Sequence, residues 1–264
     1  MPKVSVLIAV YQAEAFLTQC LDSLLHQSMS DFEAICVDDC SADHSSDILN
    51  QYAQKDARIK VVRLDENHGH AHARNVALEQ AQGDYICMLD ADDWLSPDAL
   101  ELALNTFDEK TDCVLFDMVY SYPDGREEVY QMPDFGMLTG EEAFRLSLTW
   151  QIHGLYMVRS ALHRQFPYDE TCRVYSDDNT TRIHYLYSRQ VRCCKGRYYY
   201  RQHSSSITHE ISVRRFDYLK ANEHMRQMME EIHISKAFID EYEHHRWLNL
   251  IDVCMFWYVQ RLCL

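Results

Sequence analysis

Glycine is scarce in this chain. There are seven in 264 residues, and only Gly69 and Gly83 precede residue 120. No GxGxxG follows the first apolar run and no GxxxxGK[ST] occurs anywhere, so neither a dinucleotide-binding fold nor a P-loop enzyme is supported. Positive charge is also short, with 25 Lys and Arg against 41 Asp and Glu and a formal net charge of −16. A nucleic-acid binder needs a cationic face to displace counterions, so no nucleic-acid partner is expected. A small anion stays compatible, because a metal ion and one or two local Arg side chains can hold it. Among the ten Cys there is no CxxC pair, and Cys193 and Cys194 are adjacent. Reduced thiols in a cytosolic compartment are the expectation. The first apolar run, Val4 to Val10, is too short for a signal peptide and follows a single Lys. No segment reaches the ~20 apolar residues that span a bilayer. The expected location is cytoplasmic, either free or peripheral to the inner face of the membrane.

Strands and helices alternate through the first 120 residues. Val4–Val10 is almost continuously apolar, as a strand covered on both faces should be. Phe16, Leu17, Cys20, Leu21, Leu24 and Leu25 then recur at helical spacing. Residues 34–37, 59–64, 85–89 and 113–122 read as further strands. Residues 46–53, 71–81 and a segment opened by Pro97 read as helices. This alternation predicts an α/β fold with a mostly parallel central sheet flanked by helices, and ligands at the carboxyl ends of its strands. Turn residues break up shorter elements from about 121 to 210. Beyond 210 two helical stripes follow, Met225, Met228, Met229 and Ile232, then Phe238, Tyr242, Leu248, Ile251, Met255, Val259 and Leu262. The expected organisation is a first half (1–120) and a second half (121–210) of one domain, followed by a C-terminal helical extension (211–264). Leu248 to Leu264 is apolar all round, and the expectation is contact with a second copy of the chain or with a membrane surface.

The strand ends carry the polar residues. The first ends at Ala9 and Tyr11, the second at Asp38 and Asp39 followed by Asp43, and the fourth at Asp90, Asp92 and Asp93. Asp43 reads as a helix cap. Two acidic clusters converging on one sheet edge repel each other unless a cation lies between them or protons are shared. Asp90-x-Asp92-Asp93 suits Mn²⁺ or Mg²⁺, hard ions that complete their shells with phosphate oxygens. The bland reading is a solvated acidic turn capping the next helix. Without a glycine cradle, a diphosphate must be held by metal and side chains, and Arg74 is the obvious cation. His68, His70 and His72 read as loop histidines beside a phosphate site rather than as zinc ligands, since a fourth ligand at known spacing is missing.

Four segments in order resemble the family-two inverting glycosyltransferases of the GT-A fold. They are Val4 to Tyr11, Asp38 to Asp43, Asn67-x-Gly69 with Ala73-Arg74-Asn75, and Gly83 to Asp93 followed by Pro97. The resemblance covers roughly residues 3–210 and implies that 1–120 is a nucleotide-sugar-binding half and 121–210 an acceptor-binding half of the same domain. It implies that Ala9 and Tyr11 flank a nucleobase and that Asp39, next to Asp38, accepts a hydrogen bond from the ring N–H, a pattern suited to uracil. It implies further that Arg74 approaches the nucleotide's phosphate or ribose, that Asp90 lies near the ribose, and that Asp92 holds the metal with Asp93 in support. Tyr175-Ser176-Asp177-Asp178 resembles the family's acceptor-side acidic pair, with Asp178 the general base and Asp177 its support. Residues 198–203, with Ser206 and Thr208, resemble a strand and loop that close over the donor. Two positions depart from the pattern. Asp177 stands where the family usually has Glu, and Gly154 where it often has Lys.

The implied activity is inverting transfer of a sugar from a nucleoside diphosphate-sugar, with UDP the expected carrier, to the hydroxyl of a saccharide or glycolipid acceptor in surface polysaccharide or glycolipid synthesis. One base and no second nucleophilic carboxylate implies inversion. Two rivals stand beside it. A non-catalytic sugar-nucleotide-binding or assembly module would keep Asp39 and Arg74 without needing Asp90, Asp92 and Asp178 together. A nucleotidyltransferase would need a basic Gly-rich loop after the first strand, which is missing.

Overall fold

The computed structural model describes residues 2–172, 175–203 and 213–262. In chain order its elements are β1 (Val4–Val10), α1 (Leu17–Leu25), β2 (Phe32–Asp38), α2 (Ser45–Lys55), β3 (Ile59–Arg63), α3 (His70–Gln80), β4 (Tyr85–Met88), β5 (Trp94–Leu95), α4 (Ala99–Thr106), β6 (Thr111–Ser121), β7 (Glu127–Val129), α5 (Gly140–Leu148), β8 (Tyr156–Arg159), α6 (Ser160–Gln165), α7 (Asp177–Tyr187), β9 (Gln190–Arg201), α8 (Asp217–Glu231) and α9 (Lys236–Leu262). One sheet joins all nine strands in the order β3-β2-β1-β4-β8-β6-β9-β5, with β7 on the outer part of β6. β1 to β4 pair in parallel. β8 runs antiparallel to both β4 and β6, and β6 and β9 are parallel to each other. β1, β2, β3, β4, β6 and β9 therefore share one direction, while β5, β7 and β8 oppose them. The sheet is mostly parallel, as the alternating pattern predicts, with an antiparallel insertion at its middle.

The run of apolar residues in β1 is explained by double coverage. Val4, Val6, Ile8 and Val10 enter the core beneath α1 and α4, while Leu7 enters the opposite core with Ile35 and Val37 of β2 and Ala73 and Ala77 of α3. Successive side chains of a strand point to opposite faces, so both sets must be apolar when helices cover both. Gly83 lets the chain pass against β1, for a Cβ there would lie 2.6 Å from the Ser5 nitrogen. All nine described cysteines are free.

A third core holds the C-terminal helices. Phe144 and Leu148 of α5 and Ile183 of α7 pack with Met225, Met229, Phe238 and Tyr242. The expected α9 stripe divides at this point. Phe238 and Tyr242 are buried, but Leu248, Ile251, Met255 and Val259, together with Trp247 and Tyr258, are exposed on the single chain. No described helix is long and apolar enough to cross a membrane.

Candidate active site

The carboxyl ends of β1, β2, β4 and β6, with the amino end of the opposed β8, open into a cleft of about 1270 Å³, closed on its far side by α7 and the C-terminal helices. It exceeds the ~300–1,000 Å³ of a typical small-ligand pocket, which gives room for two substrates. Ala9, Tyr11, Asp39, Arg74, Asp90, Asp92, Asp177 and Asp178 all line it. Of the ten residues singled out in the sequence, two do not reach it. Asp38 is fully buried behind the wall, where Oδ1 accepts from the Ser41 N–H at 2.9 Å and Oδ2 lies 3.7 Å from Arg63. Asp93 also points inward, and its Oδ1 accepts from the Arg201 N–H at 2.7 Å. Burial, with Asp92 and Asp90 close by, pushes the Asp93 carboxyl well above the ordinary carboxylate range. Asp38 is the last residue of β2, where the alternation of side chains turns it away from the face that Asp39 reaches. Asp93 is turned inward by the tight turn that joins β4 to β5, in which its N–H donates to the Asp90 carbonyl at 3.1 Å.

Asp39 follows β2 at the end of the cleft nearest the start of α3. Its carboxylate accepts from Asn67 Nδ2 at 2.9 Å and from the N–H groups of His68 and Gly69, both at 2.8 Å. Gly69 has φ of 97°, a left-handed conformation in which a Cβ is strained, and α3 starts at the next residue. An anion beside the N-terminus of a helix is favourable. A carboxylate has about four acceptor positions, so capacity remains for a ligand N–H. Half-exposed Tyr11 stands at the same end of the cleft.

Arg74, on α3, is the centre of the site. Only 4% exposed, it donates to Asp90 Oδ1 at 2.5 Å and to Asp177 Oδ2 at 3.2 Å. Burial disfavours its charge, but the two carboxylates outweigh that and hold the guanidinium protonated. Burial likewise raises Asp177, but His70 Nε2 at 3.7 Å and Arg74 hold its carboxyl well below the usual carboxylate range. Asp178, beside it, behaves in the opposite way. Burial and the Asp177 charge outweigh the attraction of Arg182 and lift its carboxyl to about 7. Two adjacent residues at the start of one helix therefore divide into a fixed anion and an acid that titrates near neutrality.

Asp92 faces the cleft at 37% side-chain exposure, its Oδ2 2.9 Å from His203 Nε2. His203 follows β9, and Arg201 in that strand donates to the Asp92 carbonyl at 2.6 Å. Ser206 and Thr208 lie outside the described residues. Among the described residues, no group of three His, Cys, Asp or Glu side chains is arranged to hold a metal unaided.

Several lining residues carry no sequence signal. His70 opens α3 and His72 lies within it, so of the three expected loop histidines only His68 precedes the helix, and the approach of His70 to Asp177 depends on where α7 places that carboxylate. Arg215 and Tyr218 just before and within α8, and Asn249, Asp252 and Val253 on α9, also line the cleft. Their apolar neighbours dominate the periodicity, so the polar face of α9 was hidden. His163, 1% exposed, also borders the cleft, with neither ring nitrogen hydrogen-bonded to protein. Burial holds its imidazole neutral.

Known proteins share this architecture. The solved structure of S. aureus TarS 1-349 in complex with UDP-GlcNAc superposes with a TM-score of 0.77 at 25% identity, covering 91% of this chain and 70% of that one. The poly(ribitol-phosphate) beta-N-acetylglucosaminyltransferase TarS of Staphylococcus aureus is 37% identical over 118 residues, 44% of this chain and 20% of that protein. The poly(ribitol-phosphate) beta-glucosyltransferase of Bacillus spizizenii is 46% identical over 101 residues, 37% of this chain and 16% of that protein. The stretches matched in such curated relatives span less than half of the relatives' length. The TarS likeness is to a GT-A nucleotide-sugar-binding domain. The glycosyl transferase family 2 model matches residues 5–168, and the chain belongs to that family.

Proposed function

We propose that the chain is an inverting glycosyltransferase that moves a sugar from a UDP-sugar to the hydroxyl of a saccharide or glycolipid acceptor in surface polysaccharide synthesis. The observation that carries this reading is the convergence on one cleft of Asp39 and Tyr11, of Arg74 with Asp90 and Asp92, and of an Asp178 carboxyl poised at about 7. A non-catalytic binding module has no use for the last of these. The relatives' named activities, glucosyl and N-acetylglucosaminyl transfer, support the same class.

Tyr11 packs against the base and Asp39 accepts its ring N–H. Arg74, already held by two carboxylates, orients Asp90 toward the ribose. Asp92 is the carboxylate offered to Mn²⁺ or Mg²⁺, and Asp93 behind it fixes the turn through Arg201. These ions commonly take one or two protein carboxylates and fill the remaining positions with water and phosphate oxygens, so a single half-exposed Asp92 fits them. The metal's contribution is to offset charge on the departing diphosphate. Asp178 takes the acceptor hydroxyl's proton as that oxygen attacks the anomeric carbon opposite the leaving group. The expected division is therefore donor binding by the first half of the chain and proton removal by α7. The test is UDP release from a panel of UDP-sugars with Mn²⁺ or Mg²⁺, with and without saccharide acceptors. No release from any UDP-sugar, with UDP binding intact, would favour the non-catalytic module.

A further inference from the structure

Trp150 occupies a backbone position that normally belongs to glycine. α5 ends at Leu148, Thr149 caps it, and Trp150 follows with φ of 55°. The Gln151 N–H donates to the Leu146 carbonyl at 3.0 Å and the Trp150 N–H reaches the Ser147 carbonyl at 3.3 Å. This crossed pair is the Schellman termination of a helix, whose left-handed residue is usually Gly because a Cβ is strained there. A tryptophan is an unfavourable choice for the turn itself. It is also poorly repaid by packing, since Trp150 is 49% exposed.

What the strained position achieves is placement. Trp150 lines the cleft on the side of α7. Arg182, buried on α7 one turn beyond Asp178, lies 5.8 Å from the indole centroid, and the Tyr130 hydroxyl donates to the Trp150 carbonyl. The main chain is clamped on both sides of a ring that stays half open to the cleft. Gly154, across from Thr181, adds no side chain of its own to this part of the lining. Strained backbone that surrounding contacts maintain is concentrated at ligand-handling positions.

We propose that Trp150 is the stacking platform of the acceptor subsite, and that the acceptor presents a cyclic sugar to it. The proposal rests on the glycosyltransferase reading above and deepens it. The C–H face of a pyranose is apolar and flat enough to cover an indole, whereas an acyclic polyol phosphate offers no such face. The platform therefore separates saccharide acceptors from polyol-phosphate chains.

The glycine requirement of the turn supplies a test that separates packing from recognition. Trp150→Gly relieves the left-handed strain, so its melting temperature should equal or exceed that of the parent, while KM for a pyranoside acceptor rises at least about tenfold, or ~1.4 kcal/mol. UDP affinity by calorimetry should be unchanged, and Trp150→Phe should recover part of the loss. Titration with methyl pyranosides should change the tryptophan emission of the parent and not of Trp150→Phe, whereas glycerol phosphate should change neither. The emission experiment needs no turnover, so it still reads the platform if no UDP-sugar is used, which would be a failure of the proposed activity instead. A pyranoside KM within twofold of the parent in Trp150→Gly would overturn the proposal. So would an emission change that persists in Trp150→Phe.

Discussion

Replacing Asp178 by Asn should abolish most turnover and stabilise the protein, with opposite consequences from one cause. The groups facing Asp178 are Asp177, which raises its affinity for protons, and Arg182 and His70, which lower it, with burial the largest contribution. Its carboxyl titrates at about 7 against an ordinary 3.8. Folding therefore binds a proton more tightly at this site than the unfolded chain does. The associated stability is fully present below about pH 4, falls away between about pH 4 and 7, and is constant above. At 1.36 kcal/mol per pH unit the full interval is worth at most about 4 kcal/mol. An amide in its place carries no charge to desolvate. Asn is still a polar group to desolvate and gives up the attraction of Arg182, so the variant recovers roughly 1–2 kcal/mol of that interval. Asp178→Asn should thus melt roughly 2–8 °C higher than the parent at pH 8, with the difference vanishing near pH 4. The same variant should lose about 10²–10⁴-fold in sugar transfer, and the parent's turnover should climb about tenfold from pH 6 to pH 8 as the base ionises. Calorimetry across pH and a pH–rate profile check both arms. A variant less stable than the parent at pH 8, or a parent profile flat from pH 6 to 8, would refute the reasoning.

Asp177→Asn should cost less in turnover than Asp178→Asn and should move the acidic limb of the pH–rate profile to lower pH, because it removes the neighbouring negative charge; an unmoved limb would count against the coupling of the pair. Arg74→Gln leaves Asp90 and Asp177 without their shared cation and should destabilise the fold by ~3–5 kcal/mol at pH 7, measured by urea titration, with a loss below 1 kcal/mol contradicting its central role. UDP with Mn²⁺ or Mg²⁺ should raise the melting temperature more than ADP or GDP does, and equal shifts from all three would remove the uracil assignment. Asp92→Asn should make UDP binding insensitive to the metal, whereas retained metal dependence would move the ligand role to Asp90.

Most of the first 120 residues were legible because their signals are local. β1 and β2 are covered on both faces, so their burial appears as continuous apolar runs, and the chemistry at their ends follows within a few residues. Asp39, Arg74, Asp90 and Asp92 all line the cleft. Asp38 and Asp93 show the limit of such local signals. At the end of β2 a doublet of Asp leaves open which carboxylate faces the cleft, and at Asp92 and Asp93 the turn between β4 and β5, which residue type does not reveal, decides it. The rest of the cleft was less legible because its lining comes from contacts between distant segments. Asp252 and Asn249 reach the cleft only after α9 folds back on α8, and their helix has its apolar stripe facing outward. Trp150 was hidden for another reason. Its importance lies in a φ of 55° at a helix terminus, which residue type alone argues against.

The two halves meet through charge as well as space. Arg74 comes from α3, yet one of its two carboxylates, Asp177, belongs to α7. Holding Asp177 ionised keeps a negative charge next to Asp178, and that charge is one reason Asp178 titrates near neutrality instead of as an ordinary aspartate. On the proposed reading, the cation that orders the donor side thus also tunes the base. The shorter Asp at 177, where the family usually has Glu, still reaches Arg74 at 3.2 Å because Arg74 is only 5% exposed and pinned from the other side by Asp90. On this view Asp177 acts on the reaction through its neighbours, by position and charge. Its loss should show in the pH dependence of turnover before it shows in UDP affinity.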